Sequence, residues 1–164
     1  MDIAQHIITT AVEKSVLLGT AESCTGGMIA AALTDIAGSS AAVDRGFITY
    51  SNDAKIELLG VAPEIITAHG AVSSEVVAAM AEGGVMHISP SPHALAVSVS
   101  GVAGPGGGSA DKPVGYVWFG LAHRQADALN TNTMVMQFEG NRDEVRQAAV
   151  QHALEMMADK LVGL

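Results

Sequence analysis

Apolar positions along this chain recur with two periods. At Ile3, Ile7, Ile8, Ala11 and Val12 they fall three and four apart, the spacing of one face of an amphipathic helix. Val16 to Thr20 is a short continuous apolar run, the pattern of a buried strand. Helical spacing returns at Met28, Ile29, Ala32, Leu33 and Ile36, with Cys24 or Thr25 opening the helix and Gly38 ending it. Gly46–Tyr50 reads as a second strand. Ser51 is a good N-cap for a short helix reaching Leu59, with Gly60 just past its end. Pro63 opens a further helical turn. Ser73 or Ser74 caps a helix over Glu75–Met86, with Glu75 suited to its first turn. Leu95–Val99 is a third strand, followed by the glycine-rich stretch Gly101–Gly108. Val114–Ala122 and Thr131–Phe138 supply the fourth and fifth strands. A terminal helix from Asn141 to Leu161 carries Val145, Ala149, His152 and Met156 on one stripe.

Helices and strands alternate in the first half, whereas the last two strands are joined by a short polar loop that implies an antiparallel pair. The pattern therefore predicts an α/β fold: three α/β/α layers around a mixed, mostly parallel five-stranded sheet, in one domain over residues 1–164. No repeat, linker or low-complexity segment interrupts it. Hydrophobic residues make up 49% of the chain against 15% charged, which excludes disorder as the default. Aromatics are only 4%, so the core must be built from aliphatic residues and Met.

Charge and cysteine content narrow the function classes. A net charge of -9 argues against nucleic acid as a partner. It leaves room for a small phosphate, which a local nest of backbone N–H groups can hold. One cysteine excludes an internal disulfide and suits a reducing cytosol. The first residues show no basic segment followed by an apolar run, and no apolar stretch approaches membrane-spanning length. These features predict a soluble cytoplasmic protein with neither signal peptide nor membrane contact.

Ligands of open α/β sheets bind beyond the carboxyl ends of the strands. Three small-residue segments follow predicted strands: Glu22–Gly27, Tyr50–Lys55 and Ser100–Gly108. The first sets Ser23, Cys24 and Thr25 side by side ahead of Gly26 and Gly27. Ser23 or Thr25 fits a helix cap as well as a nucleophile, and Cys24 fits a small buried residue as well as a reactive thiol. Lys55 falls in the first turn of its helix, where the macrodipole disfavours a cation. Partial burial there pushes a lysine toward the neutral amine, which can take a proton from a serine hydroxyl. Tyr50 stands ready to relay a proton or steady the ammonium. The glycine density of the third segment suggests close backbone approach to a ligand, or else a flexible loop. Its spacing matches neither a Walker loop nor a dinucleotide fingerprint. The six histidines lack ligand spacing, so neither a structural nor a catalytic zinc is expected; no other metal and no cofactor is expected either. Ser109-Ala-Asp-Lys112 matches Ser-x-x-Lys, but Pro113 and the preceding glycines deny it the helix that motif needs.

Along nearly its whole length, in order, the chain resembles the C-terminal domain family of the competence/damage-inducible protein CinA. The residues that carry the resemblance are Ala21-Glu-Ser-Cys-Thr-Gly-Gly27, Asp35-Ile-Ala-Gly-Ser-Ser40 and Arg45-Gly-Phe-Ile-Thr-Tyr-Ser-Asn-Asp-Ala-Lys55. His69-Gly-Ala-Val-Ser73, Ser100-Gly-Val-Ala-Gly-Pro105 and Lys112-Pro-Val-Gly115 complete it. The resemblance implies a nicotinamide-nucleotide amidohydrolase, which deamidates nicotinamide mononucleotide to nicotinic acid mononucleotide and ammonia in pyridine-nucleotide recycling. It places the family's catalytic serine, tyrosine and lysine on Ser23, Tyr50 and Lys55, and an arginine of the last helical region on Arg142. It also implies a homo-oligomer, and the absence of an additional N-terminal domain carried by larger relatives. It assigns Cys24 no chemistry.

Amide hydrolysis through an acyl-enzyme needs an activated hydroxyl, a base and donors for the oxyanion. Ser23 and Lys55 supply the first two, with N–H groups around Thr25, Gly26 and Gly27 as the donors. Ser100, Gly101, Gly104 and Gly107 of the glycine loop, with Arg142, are then candidates for the nucleotide's ribose or phosphate. Arg45 is a second candidate for the phosphate. Two other functions fit the same residues: a catalytically inactive nucleotide-binding regulatory module, and an amidohydrolase for another small carboxamide.

Overall fold

The computed structural model describes residues 3–164. The elements follow in the order α1 (Ile3–Glu13), β1 (Val16–Glu22), α2 (Met28–Thr34), a 3-10 turn (Ser39–Ala41), β2 (Val43–Ile48) and α3 (Asn52–Leu59). They continue with α4 (Pro63–His69), α5 (Ser74–His87), β3 (His93–Gly101), β4 (Tyr116–Gln125), β5 (Ala128–Gln137) and α6 (Arg142–Val162). The strands lie side by side as β2-β1-β3-β4-β5. β1 pairs parallel with both β2 and β3, while β4 pairs antiparallel with β3 and β5. β4 is thus the one reversed strand, and the sheet is mixed but mostly parallel in strand direction.

The alternation of side chains along each strand sorts the two faces by size. One face carries Val16, Leu18, Leu95, Val97, Val99, Val117, Phe119 and Leu121, which form the larger core with α1, α2 and α6. The opposite face is lined by Gly19, Ala21, Ala94, Ala96, Ser98, Gly120 and Ala122, and these small residues admit α5 at close range. A Cβ on Gly120 would stand 2.4 Å from the carbonyl oxygen of Val77 in α5, and Ser98 Oγ donates to that same carbonyl at 2.6 Å. On α6 the buried stripe runs Val145, Ala149, Ala153, Met157 and Leu161. His152 and Met156, expected on that stripe, sit half-buried at its margin.

Several boundaries differ from the sequence expectation. β2 begins three residues earlier than predicted and ends at Ile48, so Tyr50 belongs to the loop beyond the strand. β4 and β5 extend through polar residues to the two-residue turn Ala126–Asp127. Backbone pairing continues there because a ladder near a sheet edge does not require apolar side chains. α2 starts at Met28, after a turn over Cys24–Gly27. Among the described residues, no helix is long and apolar enough to cross a membrane.

Candidate active site

The three parallel strands end at one edge of the sheet, so the segments that follow them are neighbours. Residues 23–27, 49–55 and 100–104 meet there. β5 runs in the same direction as β3, and therefore delivers the start of α6 to the same edge. A cavity of about 190 Å³ opens between these segments, lined by Ser23, Cys24, Tyr50, Lys55, Ser100 and Arg142 among others.

Ser23 Oγ and Lys55 Nζ stand 3.1 Å apart in this cavity. The local sequence explains how the lysine arrives. Ser51 caps α3 by accepting from the Ala54 N–H, which sets Lys55 in the first turn with its side chain turned inward. The side chain is 1% exposed, and its Nζ donates to the carbonyls of Thr49 at 2.8 Å and Tyr50 at 3.4 Å. A neutral amine has two N–H donors and one lone pair. As an ammonium the group donates to both carbonyls and to Ser23 Oγ; once neutral, its two donors keep the carbonyls and the lone pair faces the Ser23 hydroxyl. Burial pushes the Lys55 pKa below its ordinary value of 10.5, toward that neutral form. Burial also pushes the adjacent Cys24 thiol up to about 11. Cys24 is therefore the less available nucleophile near neutral pH.

Tyr50 lines the cavity but is 62% exposed, and its hydroxyl accepts from Arg142 Nη2 at 3.2 Å. Arg142 also donates through Nη1 to the Gly104 carbonyl at 2.7 Å. It lines a second cavity as well, of about 620 Å³, together with Pro105, Val114, Gly140 and Arg146. One guanidinium thus stands between a small chamber holding the serine and a larger one at the start of α6. Ser100 lines the small chamber, where its hydroxyl donates to the Ala71 carbonyl at 2.8 Å and ties β3 to the segment before α5.

Two residues that the sequence reading passed over organise the serine turn. Glu22, the last residue of β1, is completely buried. Its carboxylate accepts from the Thr25 hydroxyl at 2.7 Å and from the N–H groups of Gly27, Ile29 and Ala30 at 3.0, 3.1 and 2.9 Å. Arg146, one helical turn beyond Arg142, donates to the carbonyls of Cys24 at 3.0 Å and Thr25 at 3.3 Å. The signals were present: an acid closing an apolar strand just before a helix, and arginines four apart on one helix face.

Several expected roles change accordingly. Thr25 is fully buried and its hydroxyl is committed to Glu22, and the Gly27 N–H is committed likewise. The Gly26 N–H donates to the Ser23 carbonyl, so none of these groups faces a ligand. Gly26 and Gly27 have φ of 60° and 99°, and the tight turn itself requires glycine at both. Among the described residues, the Thr25 N–H has no main-chain acceptor and the Cys24 N–H meets its own thiol, which moves the candidate oxyanion donors one step toward Ser23. Gly101 lines the small chamber, but a Cβ there would stand 2.6 Å from Val117 Cγ2, so internal packing accounts for the glycine. Gly104 contributes its carbonyl to Arg142, while Gly107 lines neither chamber. Arg45 is not brought to the site: it lies in mid-β2, opposite Gly19, and pairs with Asp44. No cluster of three or more His, Cys, Asp or Glu side chains suited to a metal ion occurs among the described residues.

Fold and site together define a class: a three-layer α/β/α protein with a serine–lysine pair at the carboxyl edge of a mixed sheet. Comparison with known proteins places it more closely. The family model described as CinA C-terminal domain matches residues 1–161, and the chain belongs to that family. A protein of Enterobacter agglomerans named nicotinamide-nucleotide amidohydrolase PncC is 60% identical over 131 residues, covering 79% of this chain and 76% of that protein. The protein of the same name from Escherichia coli K12 is 43% identical over 157 residues, 96% of this chain and 92% of its own length. Other relatives are longer, and the chain spans 36% of a putative competence-damage inducible protein of Symbiobacterium thermophilum. The crystal structure of the competence/damage inducible protein CihA from Agrobacterium tumefaciens superposes with a TM-score of 0.86 at 48% identity, covering 95% of this chain and 92% of that one.

Proposed function

We propose that this chain is a nicotinamide-nucleotide amidohydrolase, converting nicotinamide mononucleotide and water to nicotinic acid mononucleotide and ammonia by a serine–lysine mechanism. The observation that carries the reading is the 3.1 Å approach of Ser23 Oγ to a buried lysine amine whose other neighbours are carbonyls. Two relatives that share most of their length with this chain bear the corresponding name. Ser23 Oγ attacks the carboxamide carbon while Lys55 Nζ takes the hydroxyl proton. The negative charge on the former amide oxygen is met by the N–H groups of Cys24 and Thr25. Collapse of the tetrahedral intermediate breaks the C–N bond, and the proton held on Lys55 leaves with the ammonia. Water then cleaves the acyl-serine, with Lys55 again accepting a proton and returning it to Ser23 Oγ.

The paired chambers suit this substrate. The small one accommodates the reacting carboxamide, and Arg142 at the junction presents its guanidinium to the phosphate in the larger one. Tyr50, held by Arg142 at the rim, contributes orientation and a proton path for departing ammonia. The buried, unpaired cysteine fits a reducing compartment, and the reaction is assigned to the cytoplasm. Self-association is proposed on the same footing: β5 is an edge strand with Leu129, Met134 and Val135 exposed. The deciding experiment incubates purified protein with nicotinamide mononucleotide and measures ammonia. Stoichiometric ammonia and nicotinic acid mononucleotide, both lost in Ser23→Ala, support the reading. Nucleotide binding without ammonia release would replace it with a regulatory binding module, and ammonia from other carboxamides alone would change the substrate.

A further inference from the structure

The geometry points to Glu22 as a positioning residue for the nucleophile, acting through the turn that carries Ser23. The kinetic part of this inference rests on the amidohydrolase reading above; the structural part does not. Glu22 is the one carboxylate among the described residues that is wholly removed from solvent. A lone buried acid is costly unless its oxygens are saturated by donors. Here the donors are the hydroxyl of Thr25 and three N–H groups spread over residues 27–30, so the side chain gathers the whole segment following Ser23 onto the end of β1.

The main chain of Glu22 fixes the other side of the same site. Its carbonyl accepts from the Thr49 N–H at 2.8 Å. The carbonyl of Thr49 in turn holds Lys55 Nζ at 2.8 Å. Ser23 itself is anchored by its N–H to the Val99 carbonyl at 3.0 Å. One residue therefore ties the serine turn, by its side chain, to the strand end that locates the lysine, by its backbone. The separation of Ser23 from Lys55 follows from these ties, since neither side chain restrains the other except across their shared contact. Glu22 also occupies the start of α2, where its carboxylate takes the N–H groups of Gly27, Ile29 and Ala30.

The test compares Glu22→Gln, Glu22→Asp and Thr25→Val with the parent chain. Gln keeps the size of the side chain but turns an NH₂ group toward N–H donors, so the turn must shift. For Glu22→Gln, kcat for ammonia release from nicotinamide mononucleotide is expected to fall about 100-fold, with KM within about threefold of the parent. Glu22→Asp restores both acceptor oxygens on a shorter arm, and should recover about tenfold of that loss. Thr25→Val, which removes a single donor and keeps the shape, should lower kcat about five- to tenfold with KM unchanged. It decides the matter should Glu22→Gln not fold. A crystal structure of the Gln or Val variant should show Ser23 Oγ and Lys55 Nζ separated beyond about 3.5 Å. A folded Glu22→Gln or Thr25→Val with parental kcat, or with the serine–lysine distance preserved, overturns the assignment. Should the parent chain release no ammonia, the proposed function fails, and the crystallographic comparison still decides the role of Glu22.

Discussion

Replacing Lys55 by Met removes the proposed base while leaving an unbranched side chain of similar length in its place. The structure allows the catalytic and structural consequences to be weighed separately. The Thr49 carbonyl, in a fully buried residue, loses its 2.8 Å donor. An unsatisfied buried acceptor costs about 1–3 kcal/mol. The Tyr50 contact is longer, at 3.4 Å, and its residue is exposed, so its loss adds little. Against this, the buried amine no longer has to be desolvated, which offsets part of the cost. The net change in stability is therefore small, within about 2 kcal/mol. A general base contributes about 10²- to 10⁴-fold in rate, equivalent to about 3–5 kcal/mol in the barrier. Ammonia release by Lys55→Met, measured well below its unfolding temperature, should fall by at least the lower of those factors. A folded variant retaining rates within tenfold of the parent refutes the assignment of Lys55 as base.

The direction of the Lys55 pKa shift gives the same prediction a second axis. Only the neutral amine accepts a proton, so kcat/KM should rise with pH through a group whose pKa lies below 10.5. That limb should vanish in Lys55→Met. Folding stability must follow the same group. Because the folded pKa is depressed, the unfolded chain binds more protons between the folded value and 10.5. The stability term is thus complete above 10.5 and is lost as pH falls through the folded value. Urea unfolding should show the parent gaining stability over Lys55→Met as pH rises through that window. A difference independent of pH contradicts a buried, readily neutralised amine.

Cys24→Ala should keep most of the parental turnover, and iodoacetamide at neutral pH should leave the enzyme active, because burial holds the thiol near pKa 11. Rapid inactivation would return Cys24 to candidacy. Arg142→Ala should raise KM for nicotinamide mononucleotide about 10- to 100-fold with a smaller effect on kcat, and an unchanged KM would remove the arginine from the phosphate site. Gly83→Ala tests how α5 is seated: its Cβ would stand 2.0 Å from the Leu59 carbonyl oxygen, so the helix must shift, at a cost of about 1–3 kcal/mol in a denaturant titration. An unshifted midpoint would mean that the two segments are not in contact.

What could be read from the sequence, and what could not, divides along the range of the forces involved. Apolar periodicity and turn residues are local, and they located every helix and strand to within a few residues. The Ser23–Lys55 approach was accessible for a related reason. Both residues follow parallel strands, and parallel strands of one sheet deliver their ends to one edge. The missing parts are those in which a polar side chain answers the backbone of another segment. Glu22 lies two residues beyond the predicted strand Val16–Thr20, although β1 runs on to include it. Had the alternation been carried two residues further, Glu22 would have fallen on the face of Val16 and Leu18, the face that α2 covers. A carboxylate there has no place to go except the helix start. The glycines of residues 101–108 carried an ambiguous signal, room for a ligand or a flexible loop. At Gly101 and Gly104 the space a Cβ would need is held by Val117 and Val114. Glycine records only that something approaches closely, and sequence alone does not distinguish a substrate from the protein's own wall. Arg45 follows from the same argument. Its basic charge suited a phosphate, but its register opposite Gly19 sets it in the middle of β2, away from the strand end where the site is built. Charge identifies which residues can hold an anion, and strand register decides which of them stand where one can bind.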